Sequence, residues 1–222
     1  MILSEPVFKG GGYGQVNKYA LVIGISDYEG TVNDLQYCDD DAIDWKNFLQ
    51  GEGYSVTILT DSQATANNIN SAVDDLLASE DGNDYVVFTY SGHGTKYQGY
   101  GSCIVSYDLY YMTHGWLESK FSNADSSHIY FAFDACVIGD FKGLITTNRV
   151  GAFASNKKYS YDGDSSMQNG VFTYYQMIGW NNYDNFEKDG TYAVQQMKNW
   201  ANTVHVSVDP FIQDNYAGYM MP

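Results

Sequence analysis

"KYALVIGIS", residues 18–26, is an unbroken apolar and β-branched run closed at both ends by polar residues. A strand with one face in water alternates apolar and polar side chains, so a run without that alternation reads as a strand buried on both faces. Such a strand needs helices on both sides of its sheet. The next segments supply them. "DDDAIDWKNFLQGEGY" (39–54) reads as a helix. Asp39 to Asp41 sit at its start, where the helix dipole favours negative charge, Ala42, Trp45, Phe48 and Leu49 form an apolar face, and Gly51 or Gly53 ends it. "YSVTILTD" (54–61) is a second strand, "TANNINSAVDDLLASE" (65–80) a second helix with Ile69, Val73, Leu76 and Leu77 at helical spacing, and "DYVVFTYSG" (84–92) a third strand. Strands alternating with helices in this way form parallel sheets joined by right-handed crossovers.

Further along, "SCIVSYD" (102–108) and its surroundings read as a short hairpin and "HGWLESKF" (114–121) as a helix. "HIYFAFDA" (128–135) and "RVGAFAS" (149–155) read as the fourth and fifth strands. Helices are expected at "GVFTYYQMIGW" (170–180) and "TYAVQQMKNWANTV" (191–204), with a final short strand within 205–219. There is no internal repeat and no low-complexity linker. Residues 1–17, with "KGGGYGQ", read as a flexible N-terminal arm, and 18–222 as one α/β domain with a mainly parallel sheet.

Composition narrows the function. The 222 residues are 44% hydrophobic, enough for one well-packed core, and 27 acidic against 11 basic residues give a formal charge of −16. That charge repels nucleic acid and anionic lipid and attracts cations or cationic peptides. No apolar run approaches the ~20 residues needed to cross a membrane, so the chain is expected to be soluble. The compartment stays open between cytoplasm and secretion with a leader removed. Cys38, Cys103 and Cys136 fit neither a disulfide framework nor a zinc site. Ten of the eleven basic residues are lysines, and the one arginine is Arg149.

In parallel sheets ligands bind at the carboxyl ends of the strands, where "SGHG" and "DAC" both fall. His93 stands between two glycines at the end of the third strand, and Cys136 occupies the matching place on the fourth. Taken singly, each has an ordinary explanation: strand-end cysteines pack as small hydrophobes, and loop histidines decorate surfaces. Together, at strand tips ~5 Å apart, they suit a thiol nucleophile and an imidazole acid/base. The amides of Gly94 and Cys136 would then supply donors to a developing oxyanion. "GGGYG" lacks the strand and spacing of a phosphate-binding loop, which argues against a nucleotide-binding domain.

"YALVIGISDY", "LQYCDDDA", "FTYSGHGT", "FAFDAC" and "GVFTYY" resemble, in order and spacing, the caspase-like cysteine peptidases, most closely their metacaspase and related prokaryotic branch. The resemblance covers roughly residues 18–180. It implies a caspase-like three-layer sandwich, with a mainly parallel central sheet flanked by helices, that hydrolyses peptide bonds through a cysteine–histidine dyad. His93 matches the family histidine and Cys136 its nucleophile. The metacaspase pattern places a pocket for a basic side chain on Asp41 and Asp134, with Ser91 lining it. Charge complementarity points the same way, since two carboxylates in a chain of charge −16 favour a cation. The resemblance also implies that Ser155 and Asn156 pair with a peptide backbone by strand addition. Calcium is an optional ligand in the family, and Asp108, Asp125 and Asp140 fall nearest the expected positions, with no cofactor required. Where the family continues from the nucleophile with His-Ser-Gly, this chain has Val137, Ile138 and Gly139. The expected partner is a peptide or protein substrate and the expected state a monomer. The second reading is a non-catalytic interaction module that binds cationic segments through its acidic groove.

Overall fold

A computed structural model of the chain describes residues 15–222. The arm expected over 1–17 lies outside the described residues except for its last three. Of these, Asn17 is already tied to the sheet: its amide donates to Asp84 Oδ1 at 2.6 Å and its carbonyl accepts from the Tyr85 amide at 2.9 Å.

The chain runs β1 (Lys18–Gly24), α1 (Cys38–Gly51), β2 (Ser55–Thr60), α2 (Ala66–Ser79), β3 (Tyr85–Ser91), β4 (Gly94–Tyr97), β5 (Gly101–Val105), β6 (Tyr111–Thr113), α3 (His114–Phe121), β7 (His128–Asp134), β8 (Arg149–Phe153), α4 (Val171–Gly179), α5 (Phe186–Val204) and β9 (Phe211–Asp214). Six strands form the central sheet in the order β2-β1-β3-β7-β8-β9. The first five run parallel, and β9 closes the edge antiparallel to β8. The fold class expected from the sequence is the one observed.

The unbroken apolar strands explain the three layers. Leu21 and Ile23 of β1 face one core with Phe88, Phe131, Phe133, the Ile69 and Val73 face of α2 and Leu117 of α3. Ala20 and Val22 face the opposite core with Val87, Tyr130, Trp45 of α1, Phe172 of α4 and Met197 of α5. Each central strand therefore sends successive residues into different cores, and a polar residue on either side would be buried. In the first core the phenylalanines interlock at angles, Phe121 against Phe131 at 4.8 Å and Phe88 against Phe133 at 5.7 Å.

Three departures from the sequence reading have physical causes. The expected hairpin around 102–108 is a three-stranded antiparallel sheet, β4-β5-β6. Its first strand was hidden in the polar, glycine-flanked segment after His93. Helix α5 starts at Phe186 rather than 191, because Asn185 caps it by accepting from the Lys188 amide at 3.0 Å. Gly190, just before the expected start, is where α5 presses on the sheet: a Cβ there would lie 3.0 Å from Ile212 Cδ1 and 3.2 Å from Ala152 Cβ. The lone arginine is also structural. Arg149 is buried and donates to the carbonyls of Leu144 at 3.0 Å and Phe121 at 2.7 Å. Among the described residues, no helix is long and apolar enough to cross a membrane.

Asp189, in the buried face of α5, carries an expected pH dependence of stability. Its side chain is fully buried, and among the described residues neither carboxylate oxygen has a hydrogen-bond partner within normal bonding geometry. Burial holds its carboxyl well above the usual range, and the nearby Gln176 amide, which donates to Tyr130 Oη at 2.8 Å, offsets this only in part. The folded chain thus keeps a proton that the unfolded chain releases near pH 4, so stability is lost as pH rises from about 4. Asp189→Asn should raise the midpoint of thermal unfolding at pH 8 and change it little at pH 3.5. An equal effect at both pH values would show that the carboxyl does not titrate this way.

Candidate active site

Parallel pairing of β3 with β7 places Ser91 opposite Asp134. The Gly92 amide extends the ladder to the Asp134 carbonyl at 3.2 Å, so His93 and Cys136 leave the sheet from adjacent strand ends. The first turn of α1 delivers Asp41 beneath them. Asp41 accepts from Ser91 Oγ at 2.5 Å and from the Gly170 amide at 2.9 Å. Asp134 accepts from the Thr173 amide at 2.9 Å, from Thr173 Oγ1 at 3.1 Å and from Ser160 Oγ. A Cβ at position 170 would stand 2.4 Å from Asp134 Oδ2 and 2.8 Å from Asp41 Oδ2, so glycine alone leaves both carboxylates room. The structure thus brings Asp41, Ser91 and Asp134 into one buried cluster beside Cys136, as expected.

Two carboxylates without a buried cation are electrostatically unsatisfied. Burial raises the Asp134 carboxyl to about 6, against the pull of its Ser160 and Thr173 donors. Burial and then the Asp134 charge push Asp41 well above the carboxylate range. A cationic group entering this pocket would favour ionisation of both.

His93 is fixed from several sides. Its amide donates to Tyr28 Oη at 2.7 Å, its carbonyl accepts from Tyr90 Oη at 2.9 Å and from the Val105 amide at 3.1 Å, and its ring lies 4.9 Å from the Tyr28 ring. Nε2 lies 2.7 Å from the Asn33 carbonyl oxygen. A carbonyl only accepts, so Nε2 carries the hydrogen and the neutral ring keeps Nδ1 as its base. The Val105-to-His93 bond also makes Gly94 and Ile104 a non-hydrogen-bonded pair of the β4-β5 ladder, which leaves the Gly94 amide pointing away from β5. A Cβ on Gly94 would lie 2.1 Å from the Cys136 carbonyl oxygen, so the two expected oxyanion residues pack backbone to backbone.

Cys136 is covered. Its Sγ accepts from the Ser160 amide at 3.3 Å and faces the Ser160 carbonyl at 3.6 Å, while Ser160 Oγ holds Asp134. Burial pushes the thiol up, the Ser160 amide draws it down, and Asp134 and Asp162 push it up further. The resting side chain of Cys136 is therefore a thiol. No hydrogen bond joins it to His93 among the described residues. Catalytic contacts often tighten only with substrate bound. Directly after it, Val137 has φ +48, a left-handed conformation that a β-branched residue rarely adopts.

Of the two residues expected to pair with a peptide backbone, Ser155 has its hydroxyl engaged and Asn156 its main chain. Ser155 is buried with Oγ donating to the Ala135 carbonyl at 2.8 Å, and the Asn156 carbonyl accepts from Gly139 at 3.0 Å. The Asn156 amide donates to Asp209, as do those of Lys157 and Lys158, at 2.9 to 3.1 Å. With Val137 donating to the Lys158 carbonyl at 2.9 Å, residues 156–158 lie along 137–139 where an added peptide strand was expected.

The three aspartates named for calcium do not meet. Asp108 accepts from the Ala66 amide and Ser106 Oγ, Asp125 lies in the turn after α3 with its amide on Glu80, and Asp140 accepts from Ser102 and pairs with Lys96 at 3.4 Å. Among the described residues no three His, Cys, Asp or Glu side chains group to hold a metal. These residues do not fit a calcium site, and no step is assigned to one.

Ser160, Gly170, Thr173 and the Asn33 carbonyl escaped the sequence reading. Gly170 and Asn33 act through backbone groups, which residue type does not announce, and Ser160 lies in a polar loop where serines are ordinary.

Residues 17–209 match the model of the caspase domain family. Metacaspase-4 of Arabidopsis thaliana is 31% identical over 170 residues, which cover 68% of this chain and 40% of that protein. Metacaspase-1 of Debaryomyces hansenii is 42% identical over 87 residues, 35% of this chain and 20% of its own length. The chain thus spans less than half of either relative. A crystal structure of a Geobacter sulfurreducens protein shares the fold at TM-score 0.67 and 15% identity, covering 89% of this chain and 92% of that one.

The hold of Asp209 on the covering loop has a measurable consequence. Asp209→Ala removes the acceptor of three amides, and loop 156–170 should then be nicked, and Cys136 alkylated by iodoacetamide, about tenfold faster, about 1.4 kcal/mol of lost anchoring. Unchanged rates by mass spectrometry would show that the loop is held by its other contacts.

Proposed function

Because the chain belongs to the caspase domain family of cysteine peptidases, we propose that it cleaves peptide bonds after arginine or lysine, with Cys136 as nucleophile and His93 as general acid and base. The observation that carries the reading is a pair of buried carboxylates: Asp134 lines the cleft together with Cys136 and His93, and Asp41 lies behind the wall of that cleft, bonded to its lining residues Ser91 and Gly170. A buried acidic pair with room at Gly170 suits a guanidinium or ammonium better than any neutral or acidic side chain.

The chemistry follows from the donors and acceptors described. Substrate displaces Ser160 from the thiol and from Asp134. Sγ attacks the carbonyl carbon while its proton passes to His93 Nδ1, and the Asn33 carbonyl holds the imidazolium through Nε2–H. Negative charge grows on the carbonyl oxygen, toward which the amides of Cys136 and Gly94 are the available donors. The C–N bond then breaks, His93 gives its proton to the departing amine, and a thioester remains. Water attacks the thioester as His93 takes its proton, and Cys136 leaves as the thiol with the carboxylic acid product.

The second reading, a non-catalytic module that binds cationic segments, draws on one observation: the half-buried thiol is engaged by Ser160 and its acidity is suppressed in the resting chain. A panel of fluorogenic peptides ending in Arg, Lys, Asn or Asp separates the two. Turnover of the Arg or Lys peptides that falls at least about 1,000-fold in Cys136→Ala supports the peptidase. Binding of the same peptides with no turnover, even after the loop is nicked, supports the module.

The pocket also sets a pH dependence independent of chemistry. Asp134 titrates at about 6 and attracts a cation only when ionised. Binding of an arginine-ended peptide to Cys136→Ala should hold steady above pH 7 and weaken as pH falls through 6. The Asp134→Asn change, made in the same background, should weaken binding at pH 7.5 and flatten that acid limb. Calorimetric titrations showing the same affinity at pH 5 and 7.5 would remove Asp134 from the pocket.

A further inference from the structure

His93 lines two clefts. On one side lies the acidic cleft with Cys136 and Asp134, and on the other a second cleft of about 320 Å³ bounded by Asn33, Gly94, Thr95, Val105, Leu109 and Tyr111. Apart from His93 and the tyrosine hydroxyl, this second wall bears no ionisable group. Its rim continues into exposed aromatic surface on the three-stranded sheet, where Tyr97 lies 5.5 Å from Tyr111 and stacks on Tyr100 at 5.5 Å. Tyr111 is 53% and Leu109 41% exposed, so both present apolar area to solvent.

Leu109 is held there against its preference. It has φ +62, the left-handed region that a leucine seldom adopts, and the turn that imposes this is built deliberately. The Leu109 amide donates to the Ser106 carbonyl at 2.9 Å, Ser106 Oγ donates to Asp108, and Asp108 also takes the Ala66 amide at 2.8 Å. Exposed apolar area on a strained turn, beside the acid/base, is the kind of feature that function accounts for.

The occupant follows from the reaction. The general acid must reach the departing nitrogen, so the residue that carries that nitrogen lies against His93. With the basic side chain in the acidic cleft, the peptide leaves across the other face of the imidazole. We infer that the cleft of Leu109 and Tyr111 binds the residue after the scissile bond and selects an apolar or aromatic side chain there. The inference rests on the peptidase reading, and extends its specificity from one side of the cleaved bond to both.

Quenched fluorescent peptides that hold arginine before the bond and place Phe, Leu, Gly, Asp or Lys after it test this. The expected result is kcat/KM about tenfold higher for Phe and Leu than for Gly or Asp, the scale on which an apolar pocket discriminates. Tyr111→Ala should collapse the ratio between Phe and Gly peptides. Leu109→Gly should lower the same ratio while relieving the left-handed strain, which keeps the test independent of misfolding. Equal rates for all five peptides, or a preference that survives both changes, would overturn the assignment while leaving the peptidase intact. Absence of cleavage of every peptide would overturn both, by removing the reaction from which the occupant was derived.

Discussion

The parallel register between β3 and β7 is the constraint on which the rest of the site depends. It sets Ser91 against Asp134, and through them brings the histidine and the cysteine off adjacent strand ends. One residue of slip would turn every side chain of β7 to the other face. Phe131 and Phe133 would then enter the core of α1 and α5, and Tyr130 and Ala132 the core of α2 and α3. The two aromatic cores therefore fix the position of the candidate chemistry, with no direct contact to a substrate.

Above that frame the pocket is an electrostatic debt held open. Asp41 and Asp134 are kept near each other by Ser91, Thr173 and the amide of Gly170, neutral donors that satisfy lone pairs without supplying positive charge. Helix α4 serves this purpose with its first turn, and Gly170 does so because it has no side chain. The proposed specificity for a cation rests on what the fold withholds as much as on what it provides. The proposed oxyanion donors have a similar origin. Gly94 packs against the backbone of Cys136 because neither residue interposes a Cβ at that contact, and the left-handed Val137 turns the chain away immediately afterwards.

The sheet, its helices and the residues of the cleft were legible in the sequence for a simple reason. Doubly buried strands spell themselves out as apolar runs, and acids, a cysteine and a glycine-flanked histidine at their ends are conspicuous there. What stayed hidden acts through the main chain or through distance. The Asn33 carbonyl that sets the His93 tautomer, the amides gathered by Asp209 and the Gly94 amide freed by ladder geometry belong to no residue type. At Asn156 the main chain is likewise engaged within the chain, its carbonyl by Gly139 and its amide by Asp209, which the position after β8 does not announce. The aspartates proposed for calcium were chosen by spacing along the chain, which says nothing of three turns that point different ways.

Ser160 touches both halves of the site, its amide on the sulfur and its hydroxyl on Asp134. Freeing the Cys136 thiol and vacating the acidic pocket are accordingly one conformational event. Any affinity measured for a ligand of this cleft contains the equilibrium of that opening, being the intrinsic affinity scaled by the fraction of molecules already open. A partner that never enters the cleft, but holds the loop back from outside, would raise that fraction and strengthen every ligand by the same factor.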